Sequence, residues 1–560
     1  MKRLTVAFGL LSATLGLPAV ADVDPLTLIP ADSGVVIRIK APETTVSALA
    51  EFVNQVQPGI GPLIQGQGPV MLGAAIQNPT LAGVDQKRDI YFVLNAVDGQ
   101  PQGFMLVPVT DAAELRENTG AGQGYQFVES DGWIASSVHS LEAVKACVSG
   151  EAKSIKESLL KDALELLNKG HLGVALQGAP LRAGMTAELE QAKSDYDQFL
   201  GMMSTQFSIA AQGGEGLDGM IDVYRILGDC AFQVIEDATS AGVSLTVSNE
   251  ALRVEKSLSV SPGSKTADLL VLNAPGSAAK ITEIPEGMQM YFAVNGNSDQ
   301  LLEFSQQFAS SFYKGESGDK IKRSMKHIKD AGIESYAAGM GLVSDGNGLL
   351  RFAGKAQMKN GAAVRKSLKI FGDGFEFDFG YLKQKVTYKH DAETIGEDKV
   401  TIQHLAQEIP DELDPSGIQE KMNTALYGPE GFTQRIIVRD KEMLQTMGGG
   451  TAAMETFAEG KAHSDEDLKD TLKQLGGNSN LTVVADLPNG LRGLGKMVLA
   501  AAPTPTPVTL EQLDNLEIAP SWAGFSVSTA KNRVTATAHI PVESIQGIAR
   551  LVMFVQPQVQ

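Results

Sequence analysis

The chain has 560 residues, 43% of them hydrophobic and 20% charged, with 47 Lys and Arg against 66 Asp and Glu and a formal net charge of −19. A negative balance of that size repels phosphate backbones and anionic lipid surfaces, which argues against nucleic-acid binding and electrostatic membrane docking. A chain this long and apolar can bury large cores, and its length alone suggests about two to four domains.

Lys2 and Arg3 precede an apolar stretch from Leu4 to Leu17 and a small-residue cleavage site at Ala19-Val20-Ala21. Residues 1–21 therefore read as a secretory signal peptide, with the mature chain beginning at Asp22. The apolar stretch is shorter than the ~20 residues a spanning helix needs. No later stretch is long and apolar enough to cross a bilayer. The expected location is periplasmic or secreted, with no transmembrane segment after cleavage.

In the first half, 22–275, Val35 to Ile39 reads as a buried strand. Thr44 to Val56 reads as a helix with Val46, Leu49, Phe52 and Val53 on one face. Strand-like runs follow at Ile90 to Leu94, Phe104 to Val109 and Trp133 to Ser136, then helices at Leu141 to Val148 and Ile155 to Leu167. Leu172 to Leu176 is a strand, and Ala183 to Leu200 and Asp218 to Ala238 are helical patterns. Val243 to Val247 and Leu252 to Val260 flank Ser248-Asn249-Glu250 as a hairpin.

The second half, 276–560, opens with a strand at Gln289 to Val294 and helices at Ser298 to Phe312 and Lys320 to Ala331. Strands at Tyr336 to Val343 and Leu349 to Met358 flank Asp345-Gly346-Asn347-Gly348. An insertion is expected around 374–412, and Gln434 to Val438 should lead into a helix near Asp440. Leu481 to Val484 leads into another helix, and 501–507 forms a Pro-rich extended linker. The Phe525 to Val527 and Val534 to Ile540 strands and an Ile545 to Val555 helix finish the chain. Strands and helices mix without β-α-β alternation, which indicates α+β layers.

The second half also rewrites the first. Leu26-Thr27-Leu28-Ile29-Pro30 before Val35 to Ile39 returns as Ile281-Thr282-Glu283-Ile284-Pro285 before Met290 to Val294. Ala241-Gly242-Val243-Ser244-Leu245 returns as Ala523-Gly524-Phe525-Ser526-Val527. So long a period indicates a duplicated domain.

Few motifs carry chemistry. Cys147 and Cys230 could pair in an oxidising compartment or stay as two small hydrophobes. Gly490 to Met497 sits where a phosphate-cradling loop would, but Met497 replaces the Ser or Thr that would hold magnesium. Gly448-Gly449-Gly450 reads as an interruption between helical turns. Lys385 to His390 and Lys399 to His404 place two histidines on paired strands as candidate metal ligands. His390 is expected beside the turn and His404 at the far end, on the order of 15 Å apart, whereas a metal needs ligands at about 2 Å. The loop between them, Asp391 to Asp398, has four carboxylates but lacks calcium-loop spacing, so an acidic hairpin tip is expected. His463 is expected to precede a Ser-capped helix. Ser158 and Lys161 have Ser-x-x-Lys spacing on what reads as a helix surface. Trp133 and Trp522 are expected to anchor cores or interfaces.

The opening IPADSGVVIRI, with SDGWIASSVHSLEAV further on, resembles a family of exported, internally duplicated bacterial proteins of unknown function whose repeats begin with a Pro-Ala-Asp turn. The second copy departs from that turn, with Glu286-Gly287 in place of Ala31-Asp32. The resemblance implies no catalytic residues. The combined reading is an α+β protein of two homologous halves, each a mixed, mainly antiparallel sheet packed with helices. It is expected to be a non-enzymatic binding or structural scaffold with an unidentified protein or small-molecule partner and no cofactor or metal. The alternatives are a periplasmic carrier of an apolar ligand or lipid, and a hydrolase with a dispersed site.

Overall fold

The computed structural model describes residues 23–97, 100–120, 123–210, 218–271, 274–296, 315–343, 348–372, 374–378, 383–408, 417–460, 463–501 and 508–559. The expected signal peptide, the helix at Ser298 to Phe312 and all but the first residue of the Pro-rich linker lie outside them.

The first half of the chain supplies β1 (Val35–Ile39), β2 (Ile90–Val97), β3 (Gln100–Pro108), β4 (Gln126–Ser130), β5 (Trp133–Ser137), β6 (Leu172–Gln177), β7 (Ala238–Val247) and β8 (Ala251–Val260). A two-residue strand, β9 (Gly276–Ser277), follows. The second half supplies β10 (Met290–Asn295), β11 (Ile333–Leu342), β12 (Leu350–Met358), β13 (Phe375–Asp378), β14 (Lys383–Ile395), β15 (Asp398–Glu408), β16 (Phe432–Val438) and β17 (Glu442–Met447). Then come β18 (Asn478–Ser479), which pairs with β9, and β19 (Leu481–Asp486), β20 (Trp522–Ala530) and β21 (Arg533–Pro541).

Apart from β9 and β18, the strands join one antiparallel sheet of 19. Outward from its middle contact, β8·β21, one run reads β8-β7-β6-β1-β2-β3-β5-β4. The other reads β21-β20-β19-β10-β11-β12-β17-β16 and continues through β15, β14 and β13. The two runs visit their strands in the same order. Gly242 pairs with Ser257, and Gly524 pairs with His539. Laying one Ala-Gly-x-Ser segment on the other therefore lays Glu255 on Thr537. These two residues oppose each other across β8·β21.

The repeated segment has a packing cause. Helix α3 (Lys161–Asn168) crosses β7 at Gly242, where an added Cβ would come within 3.0 Å of the Ala163 Cα. Helix α4 (Glu466–Gln474) crosses β20 at Gly524, where a Cβ would come within 2.5 Å of Leu475. Ser244 Oγ donates to the Lys169 carbonyl and Ser526 Oγ to the Leu475 carbonyl, each at 2.8 Å. Both carbonyls lie at a helix C-terminus, where the last four have no partner within the helix. Glycine admits the helix, and serine closes its end.

Each run has its own core. Val36, Tyr91, Trp133, Leu141 and Leu167 belong to one, and Ile281, Tyr291, Leu468, Leu472 and Trp522 to the other. The opposite face of the sheet carries α1 (Pro42–Val56), α5 (Leu487–Ala501) and α6 (Val542–Val559). Phe52 and Val542 pack there against Leu245, Val247 and Leu252. Helix α2 (Gly61–Ala75) lies against α1.

The α+β class stands. Val438 does not lead into a helix: the Arg439 N–H donates to the Glu442 carbonyl at 2.8 Å, closing a turn into β17, and the helix starts at Gly450. Gly448, Gly449 and Gly450, at φ of 74, 73 and 64°, join that strand to the helix rather than interrupting helical turns.

Candidate functional site

A cleft of about 780 Å³ lies over the β8·β21 contact. Its floor is Glu255 and Ser257 from β8 with Thr535 and Thr537 from β21, and α3 forms the wall with Lys161, Asp162, Glu165 and Lys169. The floor is polar because alternate residues of each strand point to one face. Leu252 on β8 points to the other and joins the apolar cluster there.

Three ion pairs border the cleft, which Lys161, Glu165 and Lys256 also line. Lys169 Nζ lies 2.6 Å from Glu255 Oε2, Arg253 Nη2 3.3 Å from Glu255 Oε1, and Arg533 Nη1 2.6 Å from Asp162 Oδ1. Arg253 Nη1 also donates to the Gln474 carbonyl at 2.6 Å, fixing the end of α4 to the other run. Burial alone would push the Glu255 carboxyl up, but Lys169 and Arg253 outweigh it and hold the group below the usual carboxylate range. Burial beside Arg253 pushes the His539 imidazole down. With those ions engaged, hydroxyls remain on the floor, an arrangement suited to a polar ligand rich in hydroxyl or amide groups.

The residues singled out from sequence do not meet there. Cys147 is buried on the Glu142–Val148 helix, with Sγ 3.5 Å from the Lys153 carbonyl, and burial raises its thiol pKa. Cys230 is exposed on the Asp218–Asp237 helix, and both cysteines are free thiols.

The hairpin carrying His390 and His404 is longer than expected, with only Gly396-Glu397 between β14 and β15. His390 therefore sits inside β14, at a register shift next to Asp391 with φ of 53°, and not beside the turn. Its Nδ1 lies 3.5 Å from Thr401 Oγ1, whereas His404 Nδ1 lies 3.1 Å from Thr433 Oγ1. The expected acidic tip is largely strand. Its Glu393 takes Arg435 Nε at 3.1 Å and Nη2 at 3.3 Å, and Asp398 takes Arg439 at 2.7 Å. Two of the four carboxylates are thus held by arginines. Among the described residues no group of three or more His, Cys, Asp or Glu could hold a metal ion.

Gly490 to Met497 lies wholly within α5, so no loop cradles a phosphate. Lys496 is buried and paired with Asp514, and Arg492 Nη1 donates to the Leu516 carbonyl at 2.7 Å. Ser158 closes one short helix and donates to the Ala31 carbonyl at 3.1 Å, while Lys161 opens α3.

His463 is a residue whose role the sequence concealed. It is 4% exposed, its Nε2 lies 2.9 Å from the Tyr291 hydroxyl, and burial pushes its imidazole pKa down. The α4 cap is Asp465, not Ser464: its Oδ1 accepts from the Leu468 N–H at 3.0 Å, and its Oδ2 accepts from Trp522 Nε1 at 2.8 Å. Trp522 and Trp133 are both buried in cores. Only a contact between residues 172 apart makes His463 a core residue, and no local pattern announces it.

No family model matches the chain, and none of the curated proteins does. Among solved structures it is similar to crystal form III of TP0453, at 8% identity and a TM-score of 0.23 over 48% of this chain and 97% of that one. Crystal form IV of the same protein gives 8% identity and a TM-score of 0.24, over 49% and 99%. Likeness at that level carries no argument about function.

Proposed function

We propose that the chain is an exported, non-enzymatic binding or scaffold protein in which one α+β unit occurs twice, as residues 22–275 and 276–560 after removal of 1–21. The observation that carries this reading is the register at the sheet centre, where Glu255 opposes Thr537, its own counterpart. Two copies of one unit joined edge to edge about a two-fold axis would give that register. The cleft over the seam is the natural place for a partner, because it is concave, has polar side chains on its floor and is built from both copies. A neutral, hydroxyl- or amide-bearing chain suits it best.

The test is thermal unfolding of the full chain against neutral oligosaccharides and uncharged peptides. A rise in Tm that Thr537→Trp abolishes supports the reading. Absence of any shift counts against it. Hydrolysis of an ester, peptide or glycoside that Glu255→Gln abolishes would overturn it in favour of a hydrolase.

A carrier of an apolar ligand is the second reading, favoured by one observation. On the other face of the seam, Phe525 is 40% exposed beside half-buried strand residues such as Ala538 and Val254. Native mass spectrometry would then find one lipid retained per chain.

A further inference from the structure

Helix α5 is amphipathic in the inverted sense. Its cations face inward, Lys496 on Asp514 and Arg492 on the Leu516 carbonyl, while Leu487, Leu491, Leu494 and Val498 form an exposed stripe along the other side. The packing explains the inversion. Gly493 lies on the sheet, where a Cβ would come within 2.9 Å of Leu342, so the close approach uses the glycine side and leaves the leucines outside.

Helix α2 repeats the arrangement. It contains no charged residue in 15, and Gly68 seats it on α1, where a Cβ would meet Val46 at 2.8 Å. Leu63, Val70 and Met71 point away at 54, 55 and 72% exposure. A helix apolar on nearly every side is ordinarily buried in a core or in lipid. The two helices are linked through α1 and α6. Gln546 Nε2 on α6 donates to the Gln55 carbonyl of α1 at 2.6 Å, and Gly547 of α6 lies against Pro488 of α5. Between them α6 adds Val552 and Met553, exposed at 55 and 61%.

We infer that this helical face docks on a zwitterionic lipid bilayer, with the outward Leu, Val and Met side chains of α2, α5 and α6 entering the acyl boundary. Exposed apolar patches mark protein or membrane contacts, and charge decides between the two here. Neither α2 nor α5 turns a charge outward, and the exposed ions of α6, Glu543 and Arg550, are one of each sign, so the face carries no net charge to attract anionic headgroups. A chain of net charge −19 repels anionic lipid and a second copy of itself, whereas a zwitterionic surface carries no net charge to oppose it. Arg550 apart, the outward side chains are Leu, Val and Met, not the aromatics and arginines in which protein interfaces concentrate their binding energy. The inference is independent of the cleft, which lies on the opposite face of the sheet.

The test is flotation of the full chain with phosphatidylcholine vesicles at about 0.15 M and roughly 1 M salt. Binding is expected at both salt concentrations. In Leu494→Glu/Val498→Glu the partition coefficient is expected to fall at least about 100-fold, with Tm unchanged because both side chains are exposed. Met71→Glu, on a separate helix, should weaken binding as well and guards against a local folding defect. Failure of the unsubstituted chain to float would overturn the inference. So would binding that requires phosphatidylglycerol and vanishes at high salt. A dimer in sedimentation velocity that the α5 variant dissolves, without flotation, would assign the face to a second copy instead.

Discussion

Arg435 offers a decisive perturbation, because it separates a structural role for the acidic hairpin from a calcium-binding one. The Arg435 side chain is 8% exposed and holds both Glu393 oxygens and Glu430, and Thr451 Oγ1 also donates to Glu393 at 3.1 Å. Arg435→Met keeps most of the side-chain volume and leaves Glu393 facing an apolar group. Breaking a fully buried pair costs about 3–5 kcal/mol. Glu393 is 24% and Glu430 53% exposed, so solvent recovers part of that, and a cost of about 2 kcal/mol is expected. In a thermal scan this corresponds to about 4–8 °C for a unit of this size. The assay is urea and thermal unfolding with and without calcium. A loss below about 0.5 kcal/mol would refute the structural account. So would a calcium-dependent rise in Tm that Glu393→Gln removes, since the carboxylate would then be serving a metal.

Other outcomes follow from the same contacts. Burial depresses the imidazoles of His171, His463 and His539 below the 6.5 at which the unfolded chain titrates. The unfolded state then binds more protons, and stability falls as pH drops below about 6.5; a urea midpoint that rises between pH 7 and 5 would contradict this. Ser244→Ala and Ser526→Ala should each cost about 1 kcal/mol by leaving one helix-end carbonyl unpaired, measured by chemical denaturation; a loss at only one of the two would show that the segments do different work. Tyr291→Phe should cost a similar amount by orphaning His463 Nε2 and should lower the midpoint of the same transition. Cys230 should react with a thiol reagent in the native chain and Cys147 only after unfolding; equal native rates would contradict the burial of Cys147.

What the sequence disclosed was the part held by local pattern. The Ala-Gly-x-Ser segments were visible because glycine and serine are both demanded at a strand crossed by a helix. The Val35 to Ile39 and Leu172 to Leu176 strands were visible through their apolar runs. Helix α2 has no clear pattern in the sequence, since Gly66, Gly68 and Pro69 are poor helix formers and its helical form depends on packing against α1. The turn at Asp440 reads as a helix start because a polar residue after an apolar strand fits both. The acidic hairpin misled for a different reason: Glu393 finds Arg435 42 residues away, and nothing within the loop reveals that partner. The cleft was invisible for the same reason, being made where the last strands of the two halves meet.

That meeting also orders events during synthesis. β8 leaves the ribosome with one edge unsatisfied, and its partner follows far later: the Asn532 contact with Val260 spans 272 residues. Until that partner arrives, the open edge can template pairing with another chain. Lys256, exposed in the middle of β8, places a charge on that edge, and a lysine on an open edge discourages pairing with other chains. The seam that completes the sheet is thus also the place where an unfinished chain most needs protection.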